Sequence, residues 1–464
     1  MDLFRSSSWR IPVDMASLVF FRMAFGVMMF VGILRFFIYG WIEQFYVKPD
    51  FFFSYYGFSW VQPWPAWGLY LHFAVVGILA LCIAFGLFYR VSIVLFFLGF
   101  TYIELLDKSN YLNHYYLVSL LSFLMIWMPL HRCFSIDAWR DPSIRRETVP
   151  QWVLWTLRFQ VGTIYFFAGV AKISPDWLFH GQPLKIWLAA RSGFPLIGPL
   201  LQESWVAYAG SWAALVFDLT VPFWLLWSRS RPFAYLAVVF FHLATAKLFF
   251  LGMFPWLMMS LAPVYFPPDW PRKWVARCRA WWSRNAESPT PDASSKLSAS
   301  AEQKPLPFSL RHKIFFGFLG LFFAVQLFLP FRHYLYGGNV CWHEQGFRFS
   351  WKVMLIEKTG YIEFHVEDAR SGKRWLVMPE KYLTPIQSKM MVTQPDMILQ
   401  FAHWLAKRYR TKGFPDVKIR VDAYASLNGR HRQRLIDPKV DLAKQARGFA
   451  PKKWIVPLKK ETPP

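Results

Sequence analysis

Apolar residues in this chain come in long runs, separated by short polar stretches that are mostly basic. SLVFFRMAFGVMMFVGILRFFI (17–38) is the first. A helix crosses the hydrocarbon core of a bilayer with about 20 largely apolar residues. Runs of that kind place candidate spans at 16–39, 66–88, 91–106, 115–130, 152–172, 206–227, 233–246, 248–265 and 314–330. The pattern predicts a polytopic α-helical membrane protein with about nine transmembrane helices. The pairs 91–106 with 115–130 and 233–246 with 248–265 include the shortest runs.

The loops orient these spans. Arg5 and Arg10 precede the first, Arg90 sits between the second and third, and Arg132, Arg140, Arg145 and Arg146 follow the fourth. Arg229 and Arg231 lie between the sixth and seventh, and 271–313 carries Arg272, Lys273, Arg277, Arg279 and Arg284. All fall on one side if the chain crosses at every span. Cytoplasmic loops are rich in Lys and Arg, so that side is expected to be cytoplasmic, with everything after residue 330 outside. No small-residue cleavage site follows the first run, which reads as a retained helix rather than a signal peptide.

Composition agrees: the 464 residues are 55% hydrophobic and only 17% charged, where soluble domains carry about 25% charged residues. The net charge of +24 could suggest nucleic acid, but the basic loops account for it, and no nucleic-acid partner is expected. Cys82, Cys133, Cys278 and Cys341 form no CxxC pair, so neither a zinc site nor a redox motif is indicated.

Beyond the spans the pattern changes. Residues 285–307 are rich in Ser, Ala and Pro and read as a flexible linker within the cytoplasmic stretch 271–313. In 334–464, RFSWKVMLI (348–356) and YIEFHVEDA (361–369) alternate like strands, and PDMILQFAHWLAKRYR (395–410) has helical amphipathicity. VKIRVDAYASLNGR (417–430) reads as a strand running into an Asn-Gly turn. The expected division is a helical membrane domain, 1–333, and an extramembrane mixed α/β domain, 334–464.

Ionisable residues inside membrane spans are costly and mark structure or function. Counted by depth, Arg22, Arg158 and Asp218 fall in the inner half and are expected to form a structural ion-pair cluster. The outer half gathers Glu104, Asp107, Lys108, Asn110, Asn113, His114, Tyr165, Lys172, His242 and Lys247, which suggests a cavity opening outward. In the fifth span Arg158, Tyr165 and Lys172 recur every seven residues, and so do Gly162 and Gly169. That spacing keeps them near one helix face, which should meet protein, with Phe159, Phe166, Phe167 and Val170 turned away toward lipid or neighbouring core. Lys172 could still be a snorkelling lysine by position alone. His114 and His242 could hydrogen-bond neighbouring helices. Metal or haem ligation is not expected, because no HxxxH, HExxH or CxxCH is present.

Several ordered motifs carry a family resemblance: DKSNYLNHYYLVSLL (107–121), YFFAGVAKISPDWL (165–178), FFHLATAKLFFLGMF (240–254), VQLFLPFRHYL (325–335), GFRFSWKVML (346–355) and QRLIDPKVD (433–441). Together they closely resemble the vitamin K-dependent γ-glutamyl carboxylases and their bacterial relatives, the HTTM proteins. The resemblance implies a reaction in which vitamin K hydroquinone (from reduced menaquinone or phylloquinone) is deprotonated and reacts with O2. The oxygenated quinone becomes a strong base on its way to the epoxide, a glutamate γ-proton is removed, and CO2 is added. It implies Lys172 as the catalytic base toward the hydroquinone, with Asn113 and His114 beside it in catalysis. Tyr165, His242, Asn110, Asp107 and Trp351 are implied as substrate- or quinol-binding residues, with no metal.

The resemblance further implies a Glu-containing protein or peptide as partner, contact with membrane lipid and the quinone pool, and a bacterial inner-membrane location. The active site and C-terminal domain would face the periplasm. Two departures are visible: the animal enzymes' Lys-Lys pair is Ala171-Lys172 here, and a tyrosine before their SW is Phe347. The second motivates an alternative, quinol epoxidation without glutamate carboxylation. A quinone-binding or transport protein without turnover is a third reading.

Overall fold

The structure is a computed structural model and describes residues 8–249, 251–282, 310–459 and 461–463. The expected linker, 285–307, lies outside the described residues. Helices stand at all nine expected places: α1 Ala16–Ile38, α2 Ala66–Phe85, α3 Tyr89–Leu106, α4 Asn113–Ile126, α6 Gln151–Lys172, α9 Ser204–Leu226, α10 Arg231–Phe249, α11 Phe254–Leu261 and α13 Leu310–Phe328. Between them lie the shorter α5 Ile136–Arg140, α7 Pro175–His180, α8 Leu184–Ala189 and α12 Trp270–Trp282. The chain is a polytopic helical membrane protein with a C-terminal extramembrane domain.

The nine helices are not equal. Among the described residues seven are long and apolar enough to cross a bilayer. At 1.5 Å per residue, α4 with 14 residues and α11 with 8 reach only about 21 and 12 Å. Both descend from one level inside the bundle to its basic side. The α4 end meets the α3 start where the Tyr89 hydroxyl donates to the Met125 carbonyl at 2.8 Å. The turn after α11 ends at Tyr265, whose hydroxyl donates to the Arg158 carbonyl at 2.6 Å. Above α4 and α11 the bundle is filled by irregular chain rather than by helix.

Small residues set the close helix contacts, as van der Waals packing within membranes requires. A Cβ on Gly26 of α1 would stand 2.5 Å from the Ala84 backbone nitrogen of α2, and one on Gly169 of α6 would stand 2.7 Å from Leu219 of α9. On the basic side, two short strands, β1 Pro12–Asp14 and β2 Thr148–Pro150, pair antiparallel and tie the starts of α1 and α6 together.

The C-terminal domain is a four-stranded antiparallel sheet in the order β4-β3-β5-β6, formed by β3 Lys358–Asp368, β4 Arg374–Val377, β5 Val417–Leu427 and β6 Gln433–Arg434. Strict alternation buries one face of β5, Val417 to Leu427 at every second residue, under the amphipathic α15 Pro395–Thr411 and the shorter α14 Pro385–Met391. The Asn428-Gly429 turn closes β5 as expected, with φ of 51° and 83°. The strand expected at 348–356 does not form. Phe349, Trp351 and Met354 have φ of 62°, 54° and 55°, and their alternation serves another purpose. Their side chains go to the membrane domain: Trp351 lies 5.1 Å from the Tyr116 ring and is fully buried in the membrane core. In return Phe53, from the loop after α1, is buried in the core of the outer domain.

Candidate active site in the membrane domain

The close approach of α6 and α9 at Gly169 positions the first element of the site. Lys172, the last residue of α6, places its Nζ 2.7 Å from Asp218 Oδ2 and 3.2 Å from the carbonyl of Ala168. Both side chains are about 95% buried. The ammonium also stands 5.3 Å from the Trp177 ring centre, and Trp177 is fixed by its indole donating to the Ser211 carbonyl at 2.7 Å. Among the described residues this is the one ion pair formed wholly within membrane helices. The small-residue stripe of α6 therefore faces protein, and Phe159 and Phe166 are exposed on the far side, whereas Phe167 is buried in the neighbouring core and Val170 packs against it.

The expected cluster of Arg22, Arg158 and Asp218 does not form. Arg22 is fully buried and donates to the carbonyls of Leu130 and Phe134 at 2.7 Å and of Ala84 at 3.3 Å. Arg158 donates to Val264 at 2.9 Å and to Tyr265 and Phe266 at 3.3 Å. Carbonyls at helix ends have no intrahelical donor and carry partial negative charge, so in an apolar interior they recruit guanidinium groups. Asp218 stands instead at the level of Lys172. Depth counted from helix ends missed this because α7 and α8 fold back beside the first half of α9, so α6 ends well below the start of α9.

One level over, the Tyr165 hydroxyl and His242 Nε2 are 2.8 Å apart. The His242 ring lies 6.0 Å from Phe254, and the His114 ring lies 6.2 Å from Phe254 on α11. Asn113 accepts from the Tyr111 hydroxyl at 3.0 Å and donates to the Lys352 carbonyl at 3.4 Å. Asn113 and His114 line a cavity of about 520 Å³ whose walls include Phe36, Phe100, Leu257 and Met354. Lys172 does not line it. The structure thus brings Tyr165 to His242, sets His242 and His114 against one ring, and gives Lys172 and Asp218 a separate, enclosed place.

Two of the remaining candidates, Asp107 and Lys108, join the two domains. Asp107 accepts from the Ser109 amide at 2.8 Å and from Gln387 Nε2 at 2.7 Å. Burial pushes its carboxyl up to about 6, against those hydrogen bonds. Lys108 pairs with Asp396 at 2.5 Å, and Arg348 reaches the same carboxylate at 2.9 Å. Burial lowers Lys108 to about 8, opposed by Asp396. Burial would raise Asp396, but Arg348 and Lys108 hold it well below the carboxylate range. The Asn110 side-chain oxygen is buried without a partner among the described residues. Glu104 is half-buried, and Lys247 is exposed.

Sequence reasoning missed Asp218 as the partner of Lys172. It also missed Asp176, which follows Lys172 by four residues and binds Arg430 through both carboxylate oxygens at 2.5 and 2.7 Å. The available signal was the motif AKISPDW itself, which carries Lys172 and Asp176 together. Among the described residues no group of three His, Cys, Asp or Glu is placed to hold a metal ion.

Two family models match the chain in succession. One, described as HTTM domain, matches residues 10–270. The other, described as vitamin K-dependent gamma-carboxylase, lumenal domain, matches residues 311–461. No solved structure matches.

Proposed function

Because the chain belongs to the vitamin K-dependent gamma-carboxylase family, we propose that it converts peptide glutamate to γ-carboxyglutamate, using vitamin K hydroquinone, O2 and CO2, with coupled epoxidation of the quinol. The observation that carries the reading is the enclosed Lys172–Asp218 pair inside the matched HTTM region. Such a pair holds one exchangeable proton. Moving it from Nζ to Oδ2 leaves a neutral amine and a neutral acid, so a base becomes available without stranding a charge in the apolar interior. Lys172 is then the group able to take a proton, and Asp218 the group that readies it, from a place outside the Asn113–His114 lining.

The cavity at Asn113 and His114 suits the quinol. Its size lies in the range of small-molecule sites, about 300–1,000 Å³, and its apolar walls surround Asn113 and His114, with Arg35, Trp41 and Tyr115 also on the lining. Asn113 and His114 would hold the polar edge, with Phe36, Phe100 and Met354 against the ring. When bound, reduced vitamin K supplies with O2 the strong base that abstracts the glutamate γ-proton. Tyr165 and His242, hydrogen-bonded in the bundle beyond Phe254, keep the neighbouring wall polar while the packed aromatic rings exclude water.

On this reading the membrane unit, 1–333, performs the reaction and the outer unit, 334–464, presents the peptide. Asp107, through Gln387, and Trp351, through its burial in the membrane core, hold the two units against each other beside the cavity. The basic loops face away from the outer unit, which supports a bacterial inner-membrane protein with its site toward the periplasm. Purified protein given vitamin K hydroquinone, radiolabelled bicarbonate and a Glu-rich peptide should form epoxide and labelled peptide together. Lys172→Ala should form neither, and epoxide at the wild-type rate in that variant removes Lys172 from the mechanism. Epoxide without label favours epoxidation alone. Solute transport in place of both products favours the transporter reading.

A further inference from the structure

We infer that a second cavity, between the end of α6 and the outer domain, receives the side-chain carboxylate of an acidic peptide, with Lys352 as its counter-ion; the inference rests on the carboxylase reading for the identity of that peptide. The cavity measures about 620 Å³, and its walls include Ala171, Ser174, His333, Ser350, Lys352 and Asn428. Lys352 is only 7% exposed. Among the described residues no carboxylate and no hydrogen-bond acceptor meets its ammonium.

Among the described residues the other buried lysines and Arg430 are answered by carboxylates. Lys172 has Asp218, Lys358 has Glu344 at 3.0 Å, and Arg430 has Asp176. Among the described residues the one carboxylate lining the second cavity is that of Asp176, committed to Arg430 and to the Asn428 amide at 2.9 Å. His333 Nδ1 is tied to the Pro330 carbonyl, and the Ser350 hydroxyl to that of Gly346. The cavity therefore carries a positive charge that no carboxylate answers among the described residues, and a bound anion would neutralise it.

The segment bearing Lys352 is the wall between the two cavities. Its left-handed residues Phe349, Trp351 and Met354 turn successive side chains to opposite sides. The Lys352 carbonyl accepts from Asn113, which lines the first cavity, while its side chain lines the second. Backbone strain of this kind persists where the surroundings demand it, and clusters at ligand sites. A glutamate held by Lys352 is one residue's thickness from the quinol cavity and beside Ala171, the neighbour of Lys172.

The test is binding without turnover. Protein in phosphatidylcholine nanodiscs, with no hydroquinone present, is titrated with a fluorescent peptide carrying one Glu, or Gln in its place. Wild type should bind the Glu peptide at least about tenfold more tightly, a difference of about 1.4 kcal/mol. Lys352→Gln should equalise the two peptides, and Lys352→Arg should keep the preference. Equal binding by wild type, or a preference that survives in folded Lys352→Gln, overturns the inference. If Lys352→Gln does not fold, amine acetylation of wild type read by mass spectrometry decides: protection of Lys352 by the Glu peptide alone supports it, and equal labelling with either peptide overturns it. A Lys352-dependent preference in a protein that never incorporates bicarbonate keeps this site and sinks the carboxylase reading.

Discussion

Arg22 and Lys172 are both cations buried in the same helical bundle, yet they meet different partners. Arg22 spreads over three backbone carbonyls at the basic side, whereas Lys172 faces one carboxylate near the other end of α6. A guanidinium keeps its proton at all accessible pH and offers five fixed donors, which suits it to closing helix ends. An amine facing a carboxylate can exchange a proton with it. The difference separates a cation that holds the bundle together from one that can do chemistry. It also explains why Arg22 and Arg158 need no acid.

Three experiments break or sharpen that comparison, and a fourth tests the junction between the domains. Lys172→Ala should lower epoxide formation by about 10³-fold, within the range of a positioned acid–base group. Its melting temperature should move little, since Asp218 can take a proton rather than remain an unpaired charge. Asp218→Asn, which keeps a hydrogen-bond partner but cannot accept the proton, should lose less activity and remain folded by size-exclusion chromatography. Arg22→Ala should behave in the opposite way. Leaving buried carbonyls without donors costs about 1–3 kcal/mol each, so thermal stability should collapse while turnover per folded molecule stays at wild type. Lost turnover in a fully stable Arg22→Ala protein would dissolve the distinction.

The smallest effect concerns the junction between the domains. Asp107, with its carboxyl raised to about 6 by burial, binds its proton more tightly in the folded state than in the unfolded chain. Stability therefore falls as pH rises from about 4 to about 6, the window between the ordinary carboxylate value and the raised one. Asp107→Asn should flatten that part of a melting-temperature profile and leave the rest parallel to wild type.

Much of this was legible in the sequence because it depends on period and composition. Nine apolar runs mark nine helices, and the sevenfold recurrence of Gly162, Gly169, Tyr165 and Lys172 marks the face of α6 that meets protein. What depends on how far a helix extends was not legible. Asp218 was assigned to the wrong depth because nothing local says that α7 and α8 fold back beside α9. The alternation in RFSWKVMLI is real, but a period of two arises equally from a strand and from alternating left-handed turns. Only the packing of Phe349 on Tyr111 and Tyr116 and the burial of Trp351 in the membrane core tell them apart.

The exchange of Trp351 for Phe53 bears on how the protein is made. Trp351 completes the membrane core, yet about three quarters of the chain precedes it in synthesis. Until it arrives, the space above α4 and α11 has no roof, and Phe53 has no core to enter. The core of the bundle is thus completed by a residue that follows it in the chain, so the two regions share one packed junction even though separate family models describe them.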